Sequence, residues 1–99
     1  MKKIKWYVDA ISEEIEDAKT YAENYVEAKA MNEPTKANHF REMSNDELRH
    51  ATLLHEMAVA EIEKLNKVFI APAAMQETWN VAHKEYVEKA AWVKQMLSM

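Results

Sequence analysis

Apolar residues recur along this chain at alternating spacings of three and four, the mark of amphipathic helices. The first run is Ile4, Tyr7, Ile11, Glu14, Ala18, Tyr21, Tyr25 and Ala28, which predicts a helix over about 3–31 with a carboxylate, Glu14, in the middle of its inward stripe. The intervening positions Lys5, Asp9, Ser12, Asp17, Lys19, Glu23 and Glu27 carry mainly charge, as a solvated face should. Glu13 and Glu16 lie toward the edge of the stripe and suit either side.

Met31-Asn32-Glu33-Pro34-Thr35 is a turn signal, because Pro34 is comfortable in the first turn of a new helix and disfavours helix at the residue before it. So short a connection predicts a second helix, over about 34–70, antiparallel to the first and packed on it. Its stripe reads Phe40, Met43, Glu47, His50 with Ala51, Leu54, Met57 with Ala58, Ile62 and Leu65, with Glu47 and His50 on the seam. Ser44-Asn45-Asp46-Glu47 also fits a capping box, which would start a new helix at Ser44. The apolar phase continues unbroken across it, which favours one continuous helix. Pro72 ends that helix, and Trp79, Ala82 with His83, Tyr86, Ala90, Val93 and Leu97 predict a third over about 73–97. Ala91, Trp92, Met75 and Met96 add apolar surface outside that line.

Composition agrees with this pattern. The 99 residues suffice for one domain, 1–99, and they include no Gly and only two Pro, which favours an all-α chain. The net charge of -4, with both signs interspersed, gives no basic stripe for nucleic acid or an anionic membrane. The absence of Cys excludes disulfides and thiolate metal sites. The basic start meets Asp9, Glu13 and Glu14 before any apolar run develops, so neither a signal peptide nor a membrane span is expected, and the cytoplasm is the default location.

The chemistry centres on Asp46-Glu47-Leu48-Arg49-His50. Glu47 and His50 lie three apart and can aim an oxygen and a nitrogen at one point. Counted back from the turn at about 1.5 Å of rise per residue, Glu14 falls at the same level of the hairpin. Two carboxylates and one imidazole make a half-site. Two hairpins related by a two-fold axis would bring together two glutamates and two Glu-x-x-His pairs, the ligand set of di-iron carboxylate proteins. Hard oxygen ligands with one imidazole per metal suit iron, two per dimer, or manganese. Glu-x-x-His alone is a weak signal, and its competitor is a buried polar network in which Glu47 bonds His50 and Glu14 pairs with Lys or Arg across the hairpin.

Ser12-Glu13-Glu14-Ile15-Glu16-Asp17-Ala18, with Tyr21 seven residues after Glu14, followed by Asp46-Glu47-Leu48-Arg49-His50-Ala51, resembles the ferritin-like superfamily of rubrerythrins and bacterioferritins. The short encapsulated ferritins are the most similar, over about residues 8–65. The resemblance implies a ferritin-like hairpin in which two subunits complete one di-iron ferroxidase centre and dimers assemble into a larger even-numbered ring. By position it assigns metal ligation to Glu14, Glu47 and His50, and guidance of iron toward the centre to Glu13 and Glu16. It places Tyr21 beside the metals, and Asp46 as the acid that orients the histidine. This chain has Thr20 where the encapsulated ferritins have a tryptophan, and Ala91 to Met99 shows no tail of the kind that targets cargo into an encapsulin shell.

The expected activity is Fe(II) oxidation by dioxygen or peroxide for iron storage or detoxification. The alternatives are a peroxidase of rubrerythrin type and a metal-free helical scaffold. His39 is expected to be exposed, His55 to lie on the surface or at a subunit contact, and His83 to be a hydrogen-bonded core histidine. The seven methionines are expected to fill core, with no haem-ligating Met marked by its position.

Overall fold

The computed structural model describes residues 2–68 and 73–99. Three helices account for nearly all of them: α1 (Lys2–Ala30), α2 (Pro34–Asn66) and α3 (Ala73–Leu97), with no strand among the described residues. They pack into a rod of about 55 × 18 × 17 Å. Among the described residues no helix is long and apolar enough to cross a membrane. α2 ends at Asn66, short of the predicted boundary. The predicted extension to Ile70 and the break at Ala71-Pro72 lie outside the described residues.

The turn between α1 and α2 closes without glycine. Asn32 takes the left-handed conformation at φ 60°, which Asn tolerates better than most residues. Its amide bonds back to the Lys29 carbonyl at 3.1 Å and the amide of Glu33 to that of Ala28 at 2.9 Å. This pair of bonds satisfies carbonyls that the end of α1 leaves free. Pro34 then opens α2, where its missing N–H costs nothing.

The α1–α2 seam is built on heptads. Ile4, Ile11, Ala18 and Tyr25 are buried on α1, and Ala37, Ser44, Ala51 and Ala58 on α2. Small side chains every seventh residue let the two helix axes approach closely, with the near-antiparallel crossing that a seven-residue repeat produces. Ser44 belongs to this seam and donates a 2.7 Å hydrogen bond to the carbonyl of Ala18. That placement resolves the choice raised by the capping-box pattern: α2 runs through Ser44 without interruption.

The same geometry corrects part of the predicted stripe. Met43 and Met57 are 40% and 48% exposed rather than in the seam. They share a neighbouring face with Glu47 and His50, beside the line of small residues.

α3 returns parallel to α1 and lies mainly against it. Val93, Met96 and Leu97 join Ala18, Ala22, Tyr25, Ala28 and Ala37 near the turn. Farther down, Trp79, Tyr86 and Ala90 pack on Ile11, Ile15 and Ala51. Met75 and Met96, expected outside the third stripe, are both buried at 6% exposure, whereas Trp92 stays 52% exposed. Covering one side of the hairpin leaves the face that carries Glu14, Glu47 and His50 without a third helix.

Candidate metal centre

Glu14 stands on α1 one turn from Ala18, away from the hairpin turn, and Glu47 stands on α2 three residues beyond Ser44 in the same sense. The Ser44–Ala18 bond therefore sets the register that brings these carboxylates level. His50 Nδ1 lies 3.6 Å from Glu14 Oε2 and 3.7 Å from Glu47 Oε1. One ligand atom from each of the three residues falls within 4.8 Å of the others, and no other such group of three occurs among the described residues.

The site is half enclosed. The side chains of Glu14 and Glu47 are 27% and 21% exposed, and that of His50 is 44% exposed. Glu14 Oε2 is itself buried and has no hydrogen-bond partner. A buried carboxylate oxygen in that state lacks a compensating cation or donor. Among the described residues no Lys or Arg forms a salt bridge with Glu14 or Glu47. The cross-hairpin ion pair that a purely structural role for Glu14 calls for is therefore not formed.

Glu47 bears the strain of this arrangement. A hydrogen bond with Glu14, burial and the charge of Glu14 together raise its carboxyl to about 7. His50 opposes the shift, and Asp17 adds to it. Two carboxyl groups this close cannot both ionise cheaply, so Glu47 is only partly ionised near neutral pH. Asp17 was assigned to the solvent face by the apolar pattern. Its position three residues after Glu14, on the same side of α1, is the signal that places it near the site.

The remaining residues singled out in the sequence are arranged as follows. Glu13 is exposed. Glu16 is exposed too, but it points toward α3 and accepts a hydrogen bond from Lys89. Lys89 also pairs with Glu85 at 3.1 Å. Tyr21 is half-buried and stacks on Phe40, with ring centres 6.4 Å apart. Asp46 lies 3.7 Å from Arg49, with both side chains in solvent. His39 is exposed. His83 is hydrogen-bonded to His55 at 3.0 Å, which draws His55 into the protein instead of leaving it on the surface.

The donor set fits a hard cation. Two carboxylates and an imidazole converge on one region, one buried carboxylate oxygen has no partner, and the repulsion that raises Glu47 is what a cation between the carboxylates would relieve. Comparison with known protein families matches residues 7–97 to the family described as Rubrerythrin. Searches of curated proteins and of solved structures return no match.

Proposed function

This chain belongs to the rubrerythrin family, and on that premise we propose that it is a di-iron carboxylate protein that oxidises Fe(II). Glu14, Glu47 and His50 would hold the metal. The observation that carries this reading is the convergence of their three ligand atoms within 4.8 Å around a buried Glu14 oxygen that has no partner.

The site of one chain offers two carboxylates and one imidazole, too few to enclose two metal ions. Its open face is flanked by the exposed Met43 and Met57, apolar surface that a second copy would cover. A two-fold pairing of these faces doubles the set to four carboxylates and two imidazoles. A homodimer, or a larger even-numbered ring of such dimers, is the assembly this reading requires. Two iron ions per dimer is its stoichiometry, and manganese suits the same ligands.

When iron is bound, it supplies one-electron chemistry shared over two neighbouring ions. Two Fe(II) substrate ions release two electrons, which with two protons reduce dioxygen to hydrogen peroxide or hydrogen peroxide to two waters. The protein's share is binding and charge. Glu47 would give up its proton near neutral pH to bind a cation, Glu14 would offer its partnerless oxygen, and the His50 imidazole would complete the set. The exposed Glu13 is suited to guide iron toward the centre. Family membership favours a second reading in which peroxide is the preferred oxidant, and comparison of rates with peroxide and with dioxygen separates the two.

Elemental analysis joined to native mass measurement after aerobic Fe(II) loading tests the proposal. About one iron per chain in an even-numbered oligomer, lost in Glu47→Ala and His50→Ala, is expected. Retained iron and activity in Glu47→Ala would remove Glu47 from the site. A metal-free oligomer would identify the hairpin as a scaffold whose three polar residues form a buried network.

A further inference from the structure

On the side of the hairpin that α3 covers lies a half-open cavity of about 120 Å³ that contains none of Glu14, Glu47 and His50. Its walls come from Ile11 and Ile15 on α1, His55 on α2, and Trp79, Ala82 and Tyr86 on α3. His55 is the hub of a group of rings. It stacks on Trp79, His83 and Tyr86 at centre-to-centre distances of 5.6, 4.9 and 5.3 Å, with planes inclined by only 25°, 29° and 14°. Nothing in the iron chemistry uses these rings.

We propose that this cavity binds a small, neutral, single-ring aromatic molecule bearing a hydroxyl or carbonyl group, a phenol or quinone in chemical class. Three observations select that class. The first is size: at about 120 Å³ the half-open cavity is somewhat smaller than the roughly 150 Å³ that encloses a benzene ring, so it takes one ring with its substituents at the open mouth and nothing larger. The second is the attitude of the rings. Their nearly parallel planes let a flat guest extend the stack, whereas an organic ammonium needs rings set around it as a cage. The third is charge. Asp9 and Glu85 stand at the rim, and the rim lysine, Lys89, is already bonded to Glu16 and Glu85. An anionic ligand therefore finds no free cation there.

The histidine pair supplies the polar contact. His55 Nε2 and His83 Nδ1 bond each other at 3.0 Å, which leaves His55 Nδ1 and His83 Nε2 for a ligand. One donor and one acceptor suit a hydroxyl or a carbonyl equally well. Burial and the neighbouring His83 hold His55 below the usual histidine range, opposed by Glu56. Neutral His55 keeps this polar contact uncharged at neutral pH.

Titration of the full-length protein with p-cresol, followed by calorimetry and by tryptophan fluorescence, tests the assignment. Saturable binding with a Kd on the order of a millimolar or tighter is expected for a guest of this size. Cyclohexanol, which is not flat, and choline, which needs a cage, should each bind about tenfold more weakly or not at all. Ala82→Leu fills the cavity from α3 and should abolish binding. Ser12→Phe fills it from an exposed rim position, where a surface substitution is expected to cost little stability, and should do the same. Both should leave iron binding at Glu14, Glu47 and His50 unchanged. Absence of saturable p-cresol binding overturns the proposal, as does full affinity in the well-folded Ser12→Phe variant. Equal affinity for choline or cyclohexanol overturns the aromatic class.

Discussion

The Ser44 hydroxyl on α2 donates to the Ala18 carbonyl on α1 at 2.7 Å, and both residues are completely buried. A helix carbonyl already engaged along its own axis accepts a second bond here through its other lone pair. This polar contact between the helices lies one turn from Glu14 and three residues from Glu47, and it holds the two carboxylates level.

Ser44→Ala removes the bond but leaves the Ala18 carbonyl its helical partner. The expected cost is about 1 kcal/mol in urea unfolding, with iron binding retained. Ser44→Leu forces a large side chain into the closest approach of the two helices. A loss of about 1–3 kcal/mol is expected, accompanied by weaker iron binding as Glu14 and Glu47 lose register. Iron binding unchanged in a destabilised Ser44→Leu protein would separate the seam from the site.

Glu47→Gln should move stability and metal affinity in opposite directions. Without metal, the substitution removes the carboxyl that ionises beside Glu14, so the apo protein at pH 8 should gain on the order of 1 kcal/mol. The same change removes a charge from the proposed ligand set, and iron binding should fall sharply. Thermal unfolding with and without metal reads both effects in one experiment.

The pH dependence of the metal-free protein follows from Glu47. Its carboxyl rises from 4.5 in the unfolded chain to about 7 in the fold. Between those values the folded state holds the proton that the unfolded state has released. Apo stability should therefore be highest, as far as this group is concerned, below pH 4.5 and decline as pH rises toward 7. Glu16 acts in the opposite sense. Its hydrogen bond with Lys89 lowers its carboxyl, so its contribution is present at neutral pH and lost on acidification, and it is small because the pair is exposed. Metal binding must displace the Glu47 proton. Calorimetry at pH 6 in buffers of different ionisation enthalpy should register proton release, and affinity should rise toward pH 7 and above.

Met57→Lys places a charge on the open face beside the centre without touching a ligand. The chain should become monomeric in native mass measurement and its iron content should drop, while helical content is preserved. A Met57→Lys protein that still forms even-numbered oligomers with full iron content would assign that assembly to another surface.

Much of this was legible in the order of residues. The spacing of apolar residues marks three helices, Pro34 marks the hairpin, and counting from the turn brings Glu14, Glu47 and His50 to one level, because helical rise is nearly constant. Periodicity is blind to how close two helices come. The seam belongs to Ala37, Ser44, Ala51 and Ala58, whose small side chains carry little hydrophobic signal, and so Met43 and Met57 look like core residues in one dimension. The pattern likewise gives the spacing of Asp46 from His50 but not its pairing with Arg49 in solvent.

The sequence alone determined the secondary structure, the antiparallel hairpin and the common level of Glu14, Glu47 and His50 along it, since these depend on local propensity and on one-dimensional spacing. Only the tertiary structure decided which side of the hairpin α3 covers. That choice leaves the carboxylate face open and sends Glu16 to Lys89. It also draws His55 and His83 together across 28 residues of chain. The physical reason is that side selection depends on the relative burial of competing faces on all three helices at once, a comparison that no single stretch of sequence contains.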